Sequence, residues 1–266
     1  MILAPGKLVL VGEYAVLDGA GAIVAAVDRG VRCDVSPADS VAIATPGDDR
    51  FVRAALAGAP PARYAFSDWN PVDLPSKPGF GGSAAATVAA VVARGGTLED
   101  ALAAHHAVQG GGSGVDVFAS WHGGVRRFPD GAEVPCPRLL AVWSGHSAST
   151  GPRVARYLAR EDRAAFVAAS RALVDAFASE PLRAVREGYA LLRAFVDDYD
   201  TPAHARIAAL AERFGGAAKP SGAGGGDVAV ALFTDPDARD AFAVACADEG
   251  LPPIPVRVAQ PPKQSS

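Results

Sequence analysis

Residues 77–89 read Lys77-Pro-Gly79-Phe80-Gly81-Gly82-Ser83-Ala84-Ala-Ala-Thr87-Val-Ala. Three glycines within four positions precede a serine and an alanine-rich run of helical composition. Glycine lets backbone N–H groups turn inward and approach a ligand closely. A helix start adds unpaired donors and the positive end of the helix dipole. Such a turn can cradle an anion, most commonly a phosphate. The Gly-Lys-[Ser/Thr] ending of a P-loop is absent. The alternative is a glycine-rich turn ahead of a buried helix. Ser83 could offer its hydroxyl to a metal ion or a phosphate, or cap the helix, and both roles are compatible. Lys77 could bind the same anion or simply be exposed.

Three other constellations carry chemical potential. In Ala4-Pro5-Gly6-Lys7, followed by Gly12-Glu13-Tyr14, the lysine sits behind Pro-Gly at a strand start. Its ammonium could act as a point charge on a phosphate, or it could be solvated at a strand edge. In Gln109-Gly-Gly-Gly-Ser113-Gly114-Val115-Asp116-Val117, glycines flank Ser113 and Asp116 enters an apolar run. A carboxylate there needs a cation or donors to stay ionised, unless it is a helix N-cap. The neighbouring His105 and His106 are adjacent, point in different directions and form no ligand pair. Finally, Lys219-Pro-Ser221-Gly222-Ala223-Gly224-Gly225-Gly226-Asp227 holds four glycines in five positions. That density predicts a loop meeting another backbone or a ligand closely; the alternative is a long hairpin.

These residues need elements to position them. A chain of 266 residues, 50% hydrophobic, suits one large α/β domain or two fused small ones. Leu8–Val11 and Ala22–Val27 have strand length, and Val31–Val35 and Val41–Ala44 alternate like further strands. Arg50–Ala57 could be a short helix. Pro60 to Pro78 is expected to be loop and edge, because proline is excluded from central strands. Ser83–Val92 is helical by composition. Thr97 caps a second helix, with Glu99 and Asp100 in its first turn, running to about Val108. The second half is expected to contain a strand at Arg138–Trp143 and helices near 152–178, 181–198 and 203–214. A strand at Val228–Phe233, a helix at Asp237–Asp248 and a strand at Ile254–Val258 follow. The pattern predicts an α+β protein of two lobes, the second a split βαβ arrangement. The expected division is 1–137 and 138–259, with a disordered polar tail at 260–266.

Composition narrows the function. A formal net charge of −4 and 7% aromatic residues argue against a nucleic-acid partner. Cys33, Cys136 and Cys246 show neither a disulfide framework nor metal spacing. With no basic segment ahead of an apolar run at the start and no uninterrupted apolar stretch of about 18 residues, the expected setting is cytoplasmic, without membrane contact.

Taken in order, Pro5-Gly-Lys7…Gly12-Glu-Tyr-Ala-Val-Leu, Gly79-Phe-Gly-Gly-Ser83-Ala-Ala and Gly222-Ala-Gly-Gly-Gly-Asp227 resemble the GHMP kinase superfamily over essentially the whole chain. Finer features are similar to its phosphomevalonate kinase family. They are Gly112-Ser-Gly-Val-Asp-Val117, Arg126-Arg127-Phe128, Trp143-Ser-Gly-His-Ser-Ala-Ser-Thr150 and Ser221 through Asp227. The resemblance implies an N-terminal ATP-binding lobe, a ferredoxin-like C-terminal lobe, and γ-phosphoryl transfer from ATP with magnesium (Mg²⁺) to (R)-5-phosphomevalonate. A mevalonate kinase, another small-alcohol kinase or a non-catalytic nucleotide-binding protein are the alternatives, as monomer or homodimer.

The same resemblance implies roles. Lys7 stands near the acceptor, and Asp116 matches the catalytic aspartate. Lys77, Gly79, Phe80, Gly81, Gly82, Ser83 and Ala84 surround the ATP phosphates, with Ser83 also associated with the metal. Ser113, Ser147, Ser149, Thr150, Gly222, Ala223 and Gly224 face the acceptor. Departures are a shortened stretch between Ala44 and Pro75, Gly82 in place of a commoner serine, and His105 roughly where mevalonate kinases carry a metal-binding glutamate. A phosphate-monoester acceptor has a second pKa of about 6, so its attacking oxygen is mostly ionised. Asp116 is then expected to orient Lys7 rather than remove a proton. The cations for the acceptor dianion are Lys7 and, as candidates, Arg126, Arg127 or His146.

Overall fold

The computed structural model describes residues 1–262. The chain begins with strand β1 (Ile2–Val11), a 3₁₀ turn (Ala15–Asp18) and strand β2 (Ala22–Ser36). The two strands expected at 22–27 and 31–35 are thus one. β2 stays continuous because it changes partner along its length. Ala22–Ala25 pairs with β5 (Val125–Phe128), Gly30–Ser36 pairs with β4 (Arg63–Trp69), and β1 runs antiparallel to both parts.

Strand β3 (Ala42–Ala44) and helix α1 (Arg50–Ala55) precede β4. β4 corrects the expectation of loop and edge for 60–78. It lies between β2 and β3 in the sheet order β1-β2-β4-β3. The prolines flank it rather than enter it, and Tyr64 and Phe66 alternate into the core. Helices α2 (Gly82–Ala93) and α4 (Val115–His122) pack on this sheet, and α3 (Leu98–Gln109) packs outside them against α1, α2 and α4. α3 starts as expected, with a capping box between Thr97 and Asp100, and stops at a left-handed Gly110. α2 is buried on almost every side through Ala84, Ala85, Val88, Ala89 and Val91, and its small side chains permit close approach to the sheet.

After β6 (Arg138–Trp143) come α5 (Thr150–Leu158), α6 (Arg163–Ala176), α7 (Pro181–Phe195) and α8 (Pro202–Arg213). β7 (Ala217–Pro220), β8 (Val228–Phe233), α9 (Pro236–Asp248) and β9 (Pro253–Ile254) complete the order. The second sheet runs β7-β8-β6-β9 with antiparallel neighbours, which is the ferredoxin-like order. α4, β5 and β7 went unread in the sequence, being too short to show a period.

The two sheets share a core. Leu8, Leu10, Ile23 and Val27 from the first join Leu139, Ala141, Val228 and Val230 from the second in one apolar cluster. The strand expected at Ile254–Val258 is divided between them. Pro253–Ile254 pairs with β6, whereas Val258 bridges to Val27 and Ala259 N–H donates to the Ala26 carbonyl at 2.9 Å. Gln260 and Pro261, placed in the sequence-expected tail, lie against Gly123; residues 263–266 of that tail lie outside the described residues. No described helix is long and apolar enough to cross a membrane.

Candidate active site

Lys7 is the hub. It lies on β1 just past a register shift between Ala4 and Gly6, and such irregularities re-aim side chains. Its backbone N–H donates to the Phe80 carbonyl at 2.8 Å, which fastens the strand to the glycine-rich turn. Its side chain, 9% exposed, runs under that turn. A Cβ on Gly81 would fall 3.1 Å from Lys7 Cε and Cγ, and Gly81 has φ +75°. Only glycine meets both conditions. The ammonium ends 3.5 Å from Asp116 Oδ1, and a Cβ on Gly222 would lie 3.5 Å from Nζ. The three separated glycine-rich segments therefore converge on one amine.

Asp116 is the second residue of α4, whose N-cap is Gly114, so it is not the cap. The carboxylate sits on the first turn, half-buried beside Lys7, where the helix dipole favours an anion. Ser113 accepts from the Val115 N–H at 3.4 Å and so serves its own turn. Ser83 is likewise not a cap, that position being Gly81. The N–H groups of Gly82, Ser83 and Ala84 open α2 without intrahelical partners. Ser83 Oγ lies 3.4 Å from Nε2 of His105. His105 is 3% exposed; burial pushes its imidazole below the usual value, with Asp116 opposing. Lys77 is exposed, its ammonium near Gly47 and Asp48.

The late loop, Gly222–Gly226, meets other chain segments as its glycine density predicts. A Cβ on Gly224 would fall 2.1 Å from the Tyr199 carbonyl oxygen. Tyr14 Oη donates to the Ala223 carbonyl at 2.6 Å, and the Val9 N–H donates to Ser221 Oγ at 2.9 Å. Beneath it lies an ion pair absent from the sequence reasoning: the Lys219 ammonium bonds Glu13 Oε1 and donates to the Pro220 carbonyl at 2.8 Å. Both residues are buried. Burial pushes the Lys219 ammonium pKa down and Glu13 opposes it. A lysine in Ala217-Ala218-Lys219-Pro220 is a charge inside an apolar strand, which demands a partner. That was the available signal, but it does not say which partner.

Ser147 Oγ donates to the Lys77 carbonyl at 2.5 Å, so it ties its segment to the glycine-rich turn. Ser149 caps α5 by position without a side-chain hydrogen bond, and Thr150 opens that helix; both are exposed. Arg126 and Arg127 have other partners. Arg126 bonds Glu133 and the carbonyls of Gly123 and Gly131, and Arg127 pairs with Asp130 and Asp175. They hold β5 and its hairpin, with Arg127 also tied to α6 through Asp175, rather than stand free for an acceptor.

The chain is similar to known proteins over most of its length. The model of the GHMP kinases C-terminal family matches residues 173–250. A mevalonate kinase of Archaeoglobus fulgidus is 29% identical, with 93% of this chain and 97% of that protein covered. A phosphomevalonate kinase of Streptomyces sp. strain CL190 is 30% identical, covering 89% and 90%. Streptococcus pneumoniae phosphomevalonate kinase, solved with phosphomevalonate and AMPPNP, superposes with a TM-score of 0.80 at 19% identity, covering 97% and 100%. With the fold, the order of its glycine-rich turns and relatives matched nearly end to end, the chain belongs to the GHMP kinase family, as a kinase of the mevalonate kinase and phosphomevalonate kinase type.

Proposed function

We propose that this chain transfers the γ-phosphoryl group of ATP to (R)-5-phosphomevalonate, giving 5-diphosphomevalonate and ADP. An oxygen of the acceptor phosphate bonds to the γ-phosphorus as the bond from that phosphorus to the β–γ bridging oxygen breaks. The observation that carries this reading is the Lys7 ammonium, held beneath the Gly79–Ser83 turn and 3.5 Å from Asp116 Oδ1. Two anions must meet end to end, and a fixed cation between them offsets their repulsion. The α2 N–H groups hold the nucleotide phosphates from one side. Gly222, Ala223 and Gly224, with Ser147, Ser149 and Thr150, form the acceptor wall. Asp116 pairs with the ammonium by charge and keeps it aimed.

Among the described residues no group of three or more His, Cys, Asp or Glu is arranged to hold a metal. The Ser83 hydroxyl is a hard oxygen donor that fits Mg²⁺, the remaining ligands being phosphate oxygens and water. His105 beside it offers nitrogen, which suits Mg²⁺ poorly. Bound there, the ion would neutralise phosphate charge. In this reading 1–137 carries the nucleotide site and 138–259 most of the acceptor wall.

A second reading, mevalonate as acceptor, is favoured by one observation. The half-buried Asp116 carboxylate beside Lys7 is a group that can take the proton of an alcohol. An ADP-release assay with phosphomevalonate and mevalonate in parallel separates the two. Higher kcat/KM with phosphomevalonate supports the proposal, turnover of mevalonate alone overturns it, and ATP binding without turnover of either acceptor identifies a non-catalytic binding protein.

A further inference from the structure

Asp227 closes the late glycine loop, and no step above uses it. Its backbone is left-handed, with φ +60°, which is uncommon outside glycine though Asp and Asn tolerate it. On one side it holds the segment leading to α5. Its N–H donates to the His146 carbonyl at 2.8 Å, its carbonyl accepts from the Ser144 N–H at 3.2 Å, and Oδ1 accepts from the Ala148 N–H at 3.1 Å. On the other side it abuts the glycine-rich turn. A Cβ on Gly79 would lie 2.4 Å from Asp227 Cγ and 2.6 Å from Oδ2, so the Gly79 backbone is seated directly on the carboxylate. The adjacent Val228 N–H donates to the Pro78 carbonyl at 3.1 Å.

The Asp227 side chain thus fills the space between the segment beside the nucleotide phosphates and the segment beside the acceptor. A carboxylate in van der Waals contact with one backbone and hydrogen-bonded to another cannot follow the first without moving the second. Half-burial raises its pKa, while the Ala148 N–H and the charge of Lys7 oppose that shift.

We infer that the Asp227 side chain couples the two substrate sites, so that nucleotide bound at the Gly79–Ser83 turn tightens acceptor binding at Ser147–Thr150, and the reverse by linkage. This rests on the proposed positions of the two substrates. Asp227 acts as a positioning residue, through Ala148 and Gly79.

The test is calorimetric titration of phosphomevalonate, and of mevalonate, with and without saturating AMPPNP and magnesium. Wild-type protein is expected to show at least a fivefold tightening of its acceptor by AMPPNP. Asp227→Gly, which keeps the left-handed backbone, is expected to bring that factor to about one. Asp227→Asn retains an oxygen for the Ala148 N–H and is expected to preserve it. An unchanged factor in Asp227→Gly, a factor lost in Asp227→Asn, or no tightening in wild type overturns the inference; the last two apply even where Asp227→Gly does not fold. Binding of mevalonate but not phosphomevalonate by wild type overturns only the acceptor assignment, since the same cycle is then read with mevalonate. Binding of neither acceptor overturns both.

Discussion

The Lys7 ammonium and the Asp116 carboxylate meet 3.5 Å apart across two elements far separated in sequence, β1 and the first turn of α4. The distance suits an ion pair that leaves the ammonium protons free for phosphate oxygens. In the proposed reaction the cation meets the substrates and the anion aims it.

Lys7→Met is expected to lower kcat/KM on the order of 10²–10³-fold, the usual loss when a preorganised donor to developing charge is removed. Asp116→Asn keeps shape and an acceptor oxygen. With phosphomevalonate it is expected to cost about tenfold, below the range of about 10²–10⁴ typical of a lost general base. Steady-state kinetics on folded variants decides this. An inactive Asp116→Asn with unchanged acceptor affinity would establish base catalysis instead.

The Glu13–Lys219 pair makes a prediction about stability. Lys219→Met alone leaves a buried carboxylate without its cation and is expected to cost about 3–5 kcal/mol. Adding Glu13→Gln removes the stranded charge and is expected to restore most of that loss. Urea unfolding of both singles and the double measures it, and strictly additive costs would show that the two charges do not depend on each other.

Gly81→Ala places a methyl group against the Lys7 methylenes at a position with φ +75°. The backbone strain is expected to cost about 1–3 kcal/mol. The displaced ammonium should cost more in rate, since a misplacement of about 1 Å at a reacting centre is worth on the order of 10²-fold. Kinetics beside thermal unfolding separates these effects. A variant that loses stability but keeps kcat/KM would mean that the turn does not position Lys7.

Burial holds the His204 imidazole down at about 4, against an ordinary 6.5. The unfolded chain therefore takes up this proton at higher pH than the folded one. The contribution is full above about pH 6.5 and is lost as pH falls towards 4, amounting to about 3 kcal/mol. His105 and His122 shift in the same direction, also through burial first, and add to the slope. His204→Gln can still accept from the Thr201 N–H, which His204 Nδ1 does at 3.2 Å, and is expected to flatten the decline between pH 6.5 and 4.5. Equal slopes in urea midpoints for the two proteins would refute this.

Much of the site was legible because its parts are local. Glycines at 79, 81 and 82, the helix they introduce, the Thr97 cap and the Lys7 and Asp116 positions each follow from adjacent residues and backbone preference. The ordered sequence of turns carried the family resemblance. Strand β4 was hidden by the prolines around it, and β7 by its length. Arg126 and Arg127 read as candidate cations because sequence shows charge without showing partners.

Local residue order, then, determined the turns, the helix starts and the ionisable groups. Tertiary structure alone decided that Lys7 faces Asp116, that Lys219 is matched by Glu13, and that Asp227 lies between Gly79 and Ala148. The physical reason is range. Backbone conformation answers to neighbours a few residues away, whereas the pairing of buried charges depends on strand register and on a core shared by two sheets, which no single segment encodes.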